Sequence, residues 1–282
     1  MEHDAQPLRN SKANIIKAVI VVILFIGCLF LLWRERLNQP VQKEANTNVV
    51  EESTLVVKTI KESTPYTDIN AQIPQFTNTG SLFNRKIETF MRERIAEHKQ
   101  EAMENWQARF DTQAETDDLP LTPIDQNDRM YFYAKFDVPK QNNNEYISLL
   151  TRFGGYTGGA HGYEDIVAYN FDVKNKQEIY LADLFKNDPD YLNKISSTSR
   201  DILVERFTKD LSGSFDSLDE ELDYINNTIK VMVYDGTNPA NPDNFANFTF
   251  TKDKLFIHFG QYQVAPYVVG LQDIEMPLLL SL

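Results

Sequence analysis

Residues 130–138 read MYFYAKFDV. Met130, Phe132, Ala134, Phe136 and Val138 alternate with Tyr131, Tyr133, Lys135 and Asp137, the period of two that a strand with one buried face requires. Immediately upstream the period changes. Phe83, Ile87, Phe90/Met91, Ile95, Ala102, Trp106 and Phe110 recur at close to 3.6 residues, which predicts a long amphipathic helix covering one side of a sheet. Glu, Lys and Arg fill its outer face, and His98 is assigned to that surface.

Working outward, Thr54–Thr59 and Tyr66–Phe76 read as strands, the second interrupted by Pro74, and Glu145–Phe153 as another. Ile166–Val173 and Glu178–Leu181 form a hairpin around Lys174-Asn175-Lys176-Gln177. A second helix has Asp188 as N-cap and Pro189 at its first position, with Tyr191, Leu192, Ile195, Ile202, Leu203, Phe207 and Leu211 on one face, and ends near Gly213. Ile229–Tyr234, Phe248–Thr251 and Leu255–Phe259 read as further strands, the last two joined by a turn at Lys252-Asp253-Lys254. This order predicts an α+β fold of mainly antiparallel sheets packed by two main amphipathic helices.

The N-terminal part carries a different signal. Ala18–Trp33, AVIVVILFIGCLFLLW, has no charged residue, and with Ile15 and Ile16 it approaches the roughly 20 residues that span a bilayer. Arg34 and Arg36 close it, and Trp33 suits the interface. The expectation is a cytoplasmic tail over 1–14, one transmembrane helix over 15–36, a polar linker over 37–53, and two extracytoplasmic modules over 54–160 and 161–282. The chain's net charge is −13. Met1–Arg36 holds five of its 28 basic and three of its 41 acidic residues, leaving 23 and 38 beyond, a net −15. Such a surface excludes a broad nucleic-acid footprint and favours basic partners. Cys28 is the only cysteine, so intrachain disulfides and cysteine-rich metal clusters are excluded.

Candidate chemistry concentrates in Gly154-Gly155-Tyr156-Thr157-Gly158-Gly159-Ala160-His161-Gly162. Its glycines permit close backbone approach, useful to a tight strand crossover or a ligand loop. Tyr156, Gly158, Gly159 and His161 are ligand-binding candidates. His161 with Glu164 and Asp165 offers an alternative acid/base set, although the spacing matches no metal motif. Tyr262, Pro266 and Tyr267 form a cluster that either stacks on sugar rings or makes a rigid turn between strands. Carboxylates at 115–118 and 216–223 read as solvated surface, the second group in a polar connection after the second helix. No nucleophile elbow or phosphate loop is present, and no cofactor or metal is expected.

The segments Tyr156–Gly162, Tyr169-Asn170-Phe171-Asp172, Leu181-Ala182-Asp183-Leu184-Phe185 and Tyr262–Tyr267, the last followed by Gly270 and Ile274-Glu275-Met276-Pro277, together resemble a bacterial extracytoplasmic module family. That family is shared by the anti-sigma factor RsiV and the N-terminal region of the peptidoglycan deacetylase PdaC. Ile73-Pro74-Gln75 and the helix from Phe83 are similar to the companion module that precedes it. The resemblance implies a cell-envelope binding or sensing module, with lysozyme or peptidoglycan fragments as partners. The stretch before Ala18 is too short for a sigma-binding domain and that after Pro277 too short for a deacetylase domain, so only the shared module is implied.

Overall fold

The long-range order of the chain is set by one strand, Tyr146–Tyr156, which is buried along both faces. In this computed structural model, which describes residues 54–115, 129–138 and 145–278 and the side chains of all of these except 110–115, it is β4 of a six-stranded sheet. The sheet's order is β1 (Leu55–Ser63), β2 (Thr67–Phe76), β3 (Met130–Asp137), β4, β5 (Tyr163–Asp172) and β6 (Gln177–Glu178). All neighbours are antiparallel except β2 and β3, which run parallel. That parallel pair needs a crossover, and α1 (Ser81–Glu115) supplies it.

α1 lays Phe83, Ile87, Met91 and Ile95 against Ile69, Ala71, Ile73, Phe132 and Phe153. The Phe83 ring stacks on Phe171 at 4.4 Å between centroids. β1 is the sheet's edge; its charged residues Lys58 and Glu62 pair with Glu88 and Lys99 of α1, the kind of charge that blunts an open edge.

The opposite side of β4 and β5 meets a second sheet, β7 (Phe248–Phe250), β8 (Lys254–Phe259) and β9 (Gln272–Pro277), antiparallel throughout. Buried side chains make the seam. Ser148 Oγ donates to Asn170 Oδ1 at 2.6 Å and accepts from Phe250 N, and Asn170 Nδ2 donates to the Phe248 carbonyl. Tyr146 stacks on Phe250 at 4.5 Å. The far face of the second sheet is covered by α2 (Tyr191–Leu211), around a core of Leu203, Phe207, Val233, Phe245, Leu255, Ile257 and Phe259.

The α+β reading with antiparallel-rich sheets and two main helices therefore holds. Five details differ. The strand expected over Glu178–Leu181 is confined to Gln177–Glu178, and Leu181–Phe185 is a 3₁₀ turn. Ile229–Tyr234 is not a strand: α3 (Leu218–Tyr224), a π turn (Ile225–Ile229) and α4 (Lys230–Gly236) run on as helix, because Ile225, Ile229 and Val233 recur every four residues and are all buried. The acidic residues at 216–223 are consequently not a loose connection. Ser217 caps α3 by accepting from Glu220 N, and Asp219, Glu220 and Glu221 occupy the first turn, where the helix dipole favours them. α2 starts at Tyr191 rather than Pro189, with Asp188 bound instead to Asp190 N and Lys194. His98 is not on the outer surface of α1 but 2% exposed, since it continues the buried stripe three residues after Ile95 and four before Ala102.

The expected tail, membrane segment and linker lie outside the described residues. Among the described residues no helix is long and apolar enough to cross a membrane. The expected division at residue 160 falls in the turn between β4 and β5.

Candidate functional site

The glycines of the β4–β5 turn come first, because they determine how closely its strands approach. A Cβ on Gly155 would collide with the Tyr131 carbonyl and lie 3.0 Å from His98 Cε1; one on Gly158, where φ is +94°, would sit 2.7 Å from Met130 Cε. The turn is then tied to α1: Asn105 Nδ2 donates to the Thr157 carbonyl, Thr157 Oγ1 to Glu101, and Arg109 to the Gly158 carbonyl. Tyr156 uses its hydroxyl on the Gly159 carbonyl. Tyr156 and Gly158 thus serve the turn's own geometry, while a Cβ on Gly159 would meet open space.

His161 is placed differently. Its ring lies 4.1 Å from that of Tyr267, which lies 5.6 Å from that of Tyr262. The Gly162 carbonyl binds the first two of these rings, accepting from Tyr267 Oη at 2.8 Å and lying 2.8 Å from His161 Nδ1. A carbonyl only accepts, so Nδ1 carries the proton. The loop presenting the two tyrosines is pinned by Gln263, whose side chain donates to the Gly236 and Asn244 carbonyls and accepts from Gly260 N. Gln261 accepts from Glu164 N of β5. Tyr262 has φ +64° and is 56% exposed, an uncommon backbone state for an aromatic residue and one held by its surroundings. The result is an aromatic platform of three rings built from two loops about 100 residues apart in sequence.

Glu164 and Asp165, adjacent on β5, point to opposite faces. Glu164 accepts from Tyr133 Oη at 2.8 Å. Asp165 lines a cavity of about 230 Å³ with Arg94, Glu97, His98, Glu101 and Tyr163, where burial pushes its pKa up. The three residues of the alternative acid/base set therefore do not face one another, and among the described residues no group of three or more ligating side chains could hold a metal ion.

Two histidine networks were not foreseen from sequence. His98 Nε2 lies 3.0 Å from Thr67 Oγ1 and Nδ1 3.1 Å from Tyr163 Oη; desolvation lowers its pKa to about 4. His258, 6% exposed, bridges Thr249 Oγ1 at 2.9 Å and Asp273 Oδ1 at 2.7 Å. Burial alone would raise the Asp273 carboxyl, but bonding to His258 and the charge of Arg152 hold it below its ordinary range. Arg152 also reaches Asp137, so the network ties β3 and β4 to β9. The alternation of LFIHF, residues 255–259, already puts His258 opposite the core face, the one sequence signal for it.

Comparison with known proteins follows the same two parts. Residues 60–164 match the family described as Deacetylase PdaC, and residues 182–278 the family described as Protein of unknown function (DUF3298). The peptidoglycan-N-acetylmuramic acid deacetylase PdaC of Bacillus subtilis is 24% identical over 209 residues, covering 73% of this chain. The chain spans 40% of that relative's length. A crystal structure of a DUF3298 family member from Bacteroides fragilis superposes with a TM-score of 0.51 at 15% identity, covering 80% of this chain and 90% of that one; at this identity the likeness concerns the fold. A DUF3298 family protein from Pseudomonas aeruginosa gives 0.45 at 14% identity, over 80% and 89%. The chain thus matches the PdaC/DUF3298-type module family, and its likeness to a peptidoglycan deacetylase extends beyond either matched part alone.

Proposed function

We propose that the chain is a binding or sensing module of the bacterial cell envelope, tethered through Ala18–Trp33 with the residues after Trp33 outside the cytoplasm. Its partner, a basic protein such as lysozyme or a peptidoglycan fragment, docks on the His161–Tyr262–Tyr267 platform. The observation that carries this reading is Tyr262, an exposed aromatic ring held at positive φ beside Tyr267, whose ring in turn packs on His161. Rigid exposed aromatics supply contact area at little entropic cost. The excess of acidic residues speeds encounter with a basic partner, an effect that salt screens.

The test is a calorimetric titration of the full chain with a C-type lysozyme, and separately with soluble muropeptides, at low and high salt. Binding of lysozyme that weakens with salt and drops at least tenfold in Tyr262→Ala supports the protein-partner form. Salt-independent muropeptide binding with the same dependence on Tyr262 supports the glycan form. Absence of heat with either ligand, or an affinity indifferent to Tyr262→Ala, overturns the role given to the platform.

A further inference from the structure

A second feature involves none of the platform's residues. A cavity of about 360 Å³ opens where β5, β6, the 3₁₀ turn Leu181–Phe185, the start of α2 and the 3₁₀ turn Pro242–Phe245 meet. Tyr169, Tyr180, Tyr191 and Phe245 give it aromatic walls, and Asn170 and Asp243 are among its polar groups. This volume lies within the range of small-molecule sites, which combine apolar walls with a few polar groups that fix orientation.

Tyr169 is the telling residue. It is 5% exposed, and its hydroxyl has no hydrogen-bond partner among the described residues. Buried hydroxyls are nearly always bonded, and an exception calls for an explanation. Asn170 beside it directs its amide to Ser148 and the Phe248 carbonyl, not to Tyr169. Tyr180, 65% exposed, offers a ring that a ligand can cover.

The charges narrow the class. At the rim Lys86 pairs with Glu178 at 2.6 Å, leaving Asp243 as the uncompensated charge in the lining. An anion is therefore disfavoured, and a flat hydrocarbon would leave the buried Tyr169 hydroxyl without a partner. A neutral ring with an apolar face for the tyrosines and hydroxyls for Tyr169 and Asp243 satisfies both conditions. We propose that this cavity is a saccharide-binding site for a short, uncharged sugar chain, with Tyr169 as its buried hydrogen-bonding anchor and Tyr180 as its stacking lid.

The test titrates the full chain with N-acetylglucosamine and chitotriose, following the heat and the amide shifts of residues around 169–191, alongside thermal melts of each variant. Tyr169→Phe is expected to weaken chitotriose binding about tenfold while leaving the melting temperature unchanged or raised, because it deletes an unsatisfied group. Tyr180→Ala should weaken binding severalfold without altering the melt, and Tyr262→Ala on the platform should leave it unchanged. The proposal is overturned if neither sugar binds at millimolar concentration. It is equally overturned if Tyr169→Phe lowers the melting temperature and spares binding, since the hydroxyl then serves the fold, or if Tyr262→Ala abolishes binding, since the sugar then sits on the platform.

Discussion

Acidification should unlock the core beneath α1 through His98. The unfolded chain holds this imidazole at its ordinary pKa of 6.5, whereas desolvation takes the folded one to about 4. Between these values the unfolded state accepts a proton that the folded state refuses, so stability falls as pH drops through 6.5 and the loss levels off below 4. The gap corresponds to about 3 kcal/mol when complete, of which about 2 kcal/mol falls between pH 7 and pH 5. The groups facing His98 across the cavity include Glu97, Glu101, Asp165, Arg94 and Tyr163. Asp165, whose pKa is raised by burial, works in the opposite direction, since protonating it relieves a buried charge. The single-residue contribution must therefore be read against a variant. His98→Gln retains a donor and an acceptor for Thr67 and Tyr163 but cannot titrate. Urea unfolding of both proteins at pH 7 and pH 5 should show the wild type losing about 2 kcal/mol more than the variant. Equal losses, or a titration by nuclear magnetic resonance placing His98 near 6.5, would refute the assignment.

Other consequences are local. Gly236→Ala should cost about 1–3 kcal/mol, because a Cβ there collides with the Gln263 carbonyl and comes within 2.9 Å of Val264 Cγ1; thermal melts measure it, and unchanged stability would mean the 260–267 loop shifts freely. Ser217→Ala should remove the cap of α3 at a cost of about 1 kcal/mol, with Ser217→Asp restoring it. Asp273→Asn should destabilise by about 1 kcal/mol near neutral pH, a small value because the carboxylate is partly exposed and screened. As the Asp273 pKa is held low, its stabilising charge is present above the unfolded value and lost as pH falls, so the two proteins should converge in acid.

The sequence exposed most of the fold because its signals are local. Alternation at 130–138 and the 3.6 period from Phe83 need only a residue's neighbours, and both elements stand where those periods put them. Ile229–Tyr234 differs for the same reason in reverse: in so short an apolar run, spacings of two and four coincide, and only the contacts of Ile229 and Val233 with the second core decide. β9 went unassigned because its polar residues Gln272, Asp273 and Glu275 weaken the apolar run, although Ile274 and Met276 face the core. At the site, the sequence grouped Tyr262 with Tyr267 but named His161 apart from them. That His161 and Tyr267 share the Gly162 carbonyl depends on β8 and β9 returning beside the β4–β5 turn, a tertiary fact without a local trace.

That return has an energetic consequence for any ligand of the platform. His161 follows β4, which α1 supports, while Tyr262 and Tyr267 follow β8, whose core belongs to α2. The two halves are fastened at Ser148 and Asn170, both buried, each hydrogen-bonding partner of the other and of the β7 backbone. A buried polar pair of this kind specifies one register, since sliding β7 by one residue would strand a serine hydroxyl and an asparagine amide without partners. The platform's geometry therefore exists only while the seam is closed. A ligand that touches His161 and Tyr262 together binds the closed seam and not the opened one, and by linkage it must stabilise the seam by RT ln(1 + L/Kd), where L is the free ligand concentration. Asn170→Ala, far from the rings, should accordingly weaken binding at the platform as well as the fold, whereas Tyr262→Ala should weaken binding alone.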